Sequence, residues 1–121
     1  MRLGASISFQ SGDPEEIARS YVEAGYGAAI CPDVSLDQPE KINAIRQAFA
    51  RQDVRLAEIG VWNNMLDPDP QRRKINLEAN IARLALGDEI GVGCCVNIAG
   101  SFNPERWDGP HPKNISEEVT N

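Results

Sequence analysis

Histidine and cysteine are scarce: the chain has one histidine, His111, and three cysteines, Cys31, Cys94 and Cys95. No Cys-x-x-Cys spacing occurs. A structural zinc site needs about four ligands, so none is expected within this sequence. Cys94 and Cys95 are adjacent, and on a strand they point to opposite faces. Three thiols in this setting read as small buried hydrophobes. No apolar run approaches the roughly 18 residues of a membrane span. The start, Met1-Arg2-Leu3-Gly4-Ala5-Ser6, has no long apolar core of a secretory leader. The expectation is a cytoplasmic protein without membrane contact. Basic residues are also few, 12 Lys and Arg against 18 Asp and Glu, for a formal net charge of −6. Nucleic-acid binding needs clustered Lys and Arg, and Arg72-Arg73-Lys74 is too short a run to supply them. It reads as a solvated helix face.

What is present is a fourfold alternation of strand and helix. The first strand is Leu3 to Ser8. After Ser11-Gly12, Asp13 suits an N-cap, Pro14 the first helical position, and Glu16 a capping box. Ile17, Tyr21, Val22 and Ala24 supply an apolar stripe, and Gly25 ends the helix. The second strand, Gly27 to Cys31, stops at Pro32. The second helix begins between Asp37 and Pro39 and carries Ile42, Ile45 and Phe49. The third strand runs from Val54 to about Val61. Asp69-Pro70 starts a third helix that extends to Ile90, with Leu77, Ile81, Leu84 and Ala85 on one face and Gly91 as its stop. The fourth strand is Gly93 to Ala99. A polar, proline-rich loop spans Gly100 to Lys113. Asn114, with Glu117 three residues on, then reads as the N-terminus of a fourth helix.

Strands alternating with helices at this spacing imply a parallel sheet. An open doubly wound sheet is aliphatic on both faces. Here each strand has one aliphatic and one small or polar face: Ala57, Ile59 and Val61 oppose Leu56, Glu58 and Gly60, and Cys94, Val96 and Ile98 oppose Cys95, Asn97 and Ala99. That favours a (β/α)₈ barrel, whose interior turns polar at its catalytic end. A complete barrel takes about 250 residues. The 121 residues therefore read as one partial domain, residues 1–121: the N-terminal half of a TIM (β/α)₈ barrel, with four strands and three to four helices, broken off in its fourth helix.

In such a barrel ligands bind at the C-terminal ends of the strands. Glu58 is a carboxylate inside a strand, costly to bury without a partner. It either bonds substrate hydroxyls or pairs with Ser6, Ser8 or Asn97. Trp62 either forms an apolar wall against a sugar or anchors a loop at the rim. Asn97 either hydrogen-bonds a polyol or caps its strand. His111 either contacts substrate or sits on a surface loop. Gly91-Val92-Gly93 is not followed by a helix and is no dinucleotide fingerprint.

Several segments resemble one family. They are Ala57-Glu58-Ile59-Gly60-Val61-Trp62-Asn63-Asn64, Leu86-Gly87-Asp88-Glu89-Ile90-Gly91, Cys94-Cys95-Val96-Asn97-Ile98-Ala99-Gly100-Ser101, and Trp107-Asp108-Gly109-Pro110-His111-Pro112-Lys113-Asn114. These look like the N-terminal half of sugar phosphate isomerases/epimerases of the xylose-isomerase-like barrel superfamily, which also holds the endonuclease IV type of DNA-repair enzymes. The resemblance implies a divalent metal (Mn, Mg, Co or Zn) with its ligands on later strands, absent from this chain. It implies paired Glu residues there that move a proton next to a sugar carbonyl. It leaves no catalytic residue or metal ligand here and gives Glu58, Trp62 and Asn97 a place in the substrate pocket, with His111 a further substrate-binding candidate from its loop position. A repair nuclease is disfavoured by the acidity, so the expected partner is a small-molecule sugar and not nucleic acid. A half-barrel also exposes two strand edges and an open interior, which invite pairing with itself or with another chain.

Overall fold

The computed structural model describes residues 1–8 and 11–116. Its elements run β1 (Gly4–Ala5), α1 (Pro14–Glu23), β2 (Ala28–Ile30), α2 (Pro39–Arg51), β3 (Arg55–Val61), α3 (Pro70–Ile90), β4 (Cys94–Asn97) and a 3₁₀ turn, Pro112–Ile115. The four parallel strands form one sheet in the order β1-β2-β3-β4. Strictly sequential order separates this sheet from a doubly wound one, whose order reverses at a switch point. It is the arrangement expected of half a (β/α)₈ barrel.

The helices start where local chemistry dictates. Asp13 caps α1 by accepting the Glu15 N–H at 3.3 Å. The reciprocal half of the expected capping box is absent, because the Ser11 hydroxyl takes the Asp13 N–H at 3.1 Å. Asp69 caps α3 through the Gln71 N–H at 2.8 Å. Helix α2 begins at Pro39 with no side-chain cap on Gln38. Gly25 and Gly91 follow α1 and α3 with φ of 82° and 81°, a left-handed conformation that costs glycine little.

Contacts divide the chain into two compact units. The first comprises Met1–Gly60 and Arg83–Val96, the second Val61–Ala82 and Asn97–Asn121. The first holds an apolar cluster built from Ile17, Tyr21, Ile45, Phe49, Leu56, Ile59, Leu86 and smaller neighbours. Tyr21 and Phe49 meet as tilted rings with centroids 6.0 Å apart. Burial pushes the Tyr21 phenol above its usual pKa, against backbone groups of Ile7 and Ile30 that pull it down.

Helical periodicity is right for α2, whose Ile42, Ile45 and Phe49 are all buried. It needs correction elsewhere. In α1 the buried residues are Ile17, Ala18 and Tyr21, whereas Val22 and Ala24 are exposed. In α3 the expected stripe is turned outward: Leu77, Ile81 and Leu84 are each at least half exposed, and Leu86 and Ile90 are the buried pair. Polar residues take part of the packed side instead, with Asn80 only 4% exposed.

The strand faces also differ from simple alternation. Ala29 pairs with Leu56, but Ile30 pairs with Glu58, leaving Ala57 as an extra residue in β3. A bulge of this kind places two successive side chains on one side. Leu56 and Ile59 consequently both join the core, and Ala57 moves beside Glu58 to the opposite face. In β4 the residue packed against the core is Cys95, so Cys94 and Val96 are not its helix-facing pair. Cys94 is exposed, not buried.

The fourth helix expected from Asn114 onward does not begin there. Residues Pro112–Ile115 form a 3₁₀ turn capped by His111. The remainder of that expected helix, 117–119, lies outside the described residues. No helix among the described residues is long and apolar enough to cross a membrane.

Candidate functional site

In the first unit, the sheet face opposite the core holds a cavity of about 300 Å³. Gly4, Ser6, Ala28, Ile30 and Ala57 line it with small or aliphatic surface, and Arg2 and Glu58 bring charge. Arg2 is already engaged. Its guanidinium donates to Asp53 Oδ1 at 2.8 Å and to the Asp53 carbonyl. That donor holds the Asp53 carboxyl below the usual carboxylate range. Glu58, the fourth residue of β3, is half-buried, and its carboxylate has no hydrogen bond or ion pair among the described residues. The partnership with Ser6, Ser8 or Asn97 anticipated as the alternative to a substrate role is not formed. A half-buried carboxylate on a wall of small residues can accept hydrogen bonds from a ligand that supplies hydroxyl or N–H donors.

Cys31 follows β2 on the same unit. Burial raises its thiol pKa to about 11, with the Arg83 charge lowering it and the Asp33 charge raising it to smaller extents. The group is therefore a neutral thiol near pH 7, and a nucleophilic role does not fit it. Arg83 donates to the Val34 carbonyl at 3.2 Å and lies 3.7 Å from Asp33, which ties α3 to the loop after β2.

The second unit carries the other three sequence candidates. Trp62 follows β3 and is 63% exposed. Asn97 ends β4 and is exposed. His111 accepts the Lys113 N–H on Nδ1 at 3.2 Å, leaving Nε2 to face other groups. Its ring lies 6.1 Å from that of Phe102, which also receives the Arg73 guanidinium at 5.6 Å. Among the described residues no hydrogen bond, ion pair or ring contact joins Trp62, Asn97 and His111 to one another.

A different set of residues organises this unit. The Asn64 carboxamide clamps Ser101, donating to its carbonyl at 2.8 Å and accepting its N–H at 2.9 Å. Asn64 Oδ1 also accepts the Leu66 N–H at 3.0 Å. Asn76, on α3, donates to the Asn64 carbonyl at 2.7 Å. Ser101 is 1% exposed; its hydroxyl donates to the Gly109 carbonyl and accepts from Asn103 N and Asn114 Nδ2. Asn114, expected as a helix cap, accepts the Phe102 N–H instead. Gly100 sits at φ 86°, and a Cβ there would fall on the Asn64 carboxamide oxygen. The loop from Gly100 to Asn114 is thus held by side chains bonded to backbone. Local sequence carries part of this signal: Asn103 accepts from Glu105 N and Arg106 N, the Asx pattern that asparagine offers at turns. Asn64 and Ser101 are 37 residues apart, and no local rule pairs them.

Among the described residues no group of three or more His, Cys, Asp or Glu is placed to hold a metal ion. No match to this chain is found among family models, curated proteins or solved structures.

Proposed function

We propose that the chain supplies substrate-binding wall to a sugar or sugar phosphate isomerase/epimerase of the xylose-isomerase-like type, acting in the cytoplasm. The observation that carries this reading is Glu58: a carboxylate with no partner among the described residues, on the open face of a parallel sheet, above a cavity of about 300 Å³. Sugar hydroxyls are the donors such a group accepts. The exposed indole of Trp62 suits the apolar C–H face of a sugar ring. Asn97 offers both a donor and an acceptor, and the Nε2 of His111 offers one further polar contact. Proton transfer and the divalent metal of the resembling enzymes belong to residues this chain does not contain. The three unpaired cysteines agree with a reducing compartment.

The test is an NMR titration of the isotopically labelled chain with ketoses and ketose phosphates, with and without Mg²⁺. The expected result is movement of the Ser6, Ala57 and Glu58 amides and of the Trp62 indole signal. Glu58→Gln should weaken that response about tenfold, the size of one lost charge-assisted hydrogen bond. Unchanged spectra at millimolar sugar would overturn the reading.

A further inference from the structure

We infer that the outward stripe of α3 is a docking surface for a second copy of this chain, packed antiparallel. The inference does not rest on the sugar-binding reading. Leu77, Ile81 and Leu84 are 50%, 58% and 54% exposed. They are spaced four and three residues apart, so they form one continuous row along the helix. The same row continues one step further at each end, to Lys74 and to Asp88, both exposed. The resulting order, Lys74–Leu77–Ile81–Leu84–Asp88, follows a three-four-three-four spacing, the seam of a two-helix packing. It spans about 21 Å at 1.5 Å per residue.

The charges at the two ends select the occupant and its direction. Antiparallel self-pairing about an axis beside Ile81 sets Leu77 against the second copy's Leu84. It also brings each Lys74 to the second copy's Asp88, and the symmetry makes that pair twice. Parallel pairing would place Lys74 by Lys74 and Asp88 by Asp88, which is repulsive at both ends. Among the described residues the one ion partner of Lys74 is Glu78, at 4.0 Å with both side chains largely in water. Lys74 is thus at liberty to turn to a stronger partner. The packed side of α3 cannot absorb the stripe, because Asn76, Asn80 and Arg83 occupy it through bonds to Asn64, Met65 and Val34.

The experiment is sedimentation equilibrium of the 121-residue chain over about 10 to 500 µM, the range of a small interface. A mass twice that of the chain is expected at the upper end. Ile81→Glu should raise the dissociation constant at least a hundredfold while far-UV circular dichroism stays unchanged. Lys74→Glu and Asp88→Lys should each weaken the dimer, and the double variant should recover it, since the swap restores both pairs. A monomer throughout would overturn the inference. So would a dimer untouched by Ile81→Glu, which would place the interface at the sheet edges. Weakening by both single swaps without recovery in the double variant would overturn the antiparallel register.

Discussion

The two units are held by different forces. In the first, aliphatic and aromatic side chains from three helices and the sheet close on one another: Ala18, Ile45 and Ala48 are wholly buried, and Phe49 nearly so. In the second, the well-buried side chain at the centre is a serine, and Asn64, Ser101, Asn103 and Asn114 spend their polar atoms on backbone groups. Burial of apolar area is roughly proportional to area and tolerant of direction. Hydrogen bonds are directional, and a buried one costs more to break than it contributes when made. The first unit should therefore lose stability gradually with side-chain volume. The second should fail when a single polar atom is removed.

The comparison can be broken at its strongest point first. Phe49→Ala removes a fully buried ring from the first unit's core and should cost about 3–5 kcal/mol, read as a fall in urea midpoint. A loss below about 1 kcal/mol would mean the cluster is not what holds that unit. Next in size is a difference between thiols of the same unit. The Cys31 thiol is pushed from 9.0 to about 11, so at pH 8 its thiolate fraction should be about a hundredfold below that of an ordinary thiol. Exposed Cys94 should be alkylated first, as peptide mass spectrometry would record. The linkage sign follows from the raised pKa: the folded state holds this proton more tightly, so the contribution is full below about pH 9 and fades as pH rises through about 11.

Asn64→Ala comes third. It strips two bonds from Ser101 and one from Leu66 and should cost about 1–3 kcal/mol, confined to the second unit. Smallest is Arg51→Ala. Arg51 pairs with Glu15 at the surface, with side chains 57% and 36% exposed. Its loss should change stability by less than about 1 kcal/mol, and a larger effect in thermal melts would show that surface charge matters to the first unit.

The same contrast explains what the sequence makes legible. The first unit is written in local terms. Asp13-Pro14 marks a helix start, Gly25 and Gly91 mark stops, and Ile42, Ile45 and Phe49 mark a face. Strand order and fold class follow from their alternation. Two errors arise where periodicity is outweighed. The extra Ala57 in β3 shifts register by one residue and exchanges the faces of Leu56 and Ala57. In α3, Leu77, Ile81 and Leu84 satisfy the helical template, yet Asn76, Asn80 and Arg83 find partners and take the packed side. The second unit is nearly silent in the sequence. Its Asn and Ser residues look like ordinary loop composition, because the clamp between Asn64 and Ser101 exists only once distant segments meet. Glu58 is the intermediate case: its oddity in a strand is visible at once, but its lack of a partner among the described residues is visible only in the fold.

Native-state hydrogen exchange tests this account most directly. The amides of Leu66, Ser101, Phe102 and Asn103, each bonded to a side chain of the second unit, should open at lower free energy than those of Cys31 and Val54, which are bonded to backbone in the first. Asn64→Ala should speed the former at least tenfold and leave the latter within about threefold, as expected of separate cooperative units. Equal opening energies for both groups, with an equal response to Asn64→Ala, would contradict it.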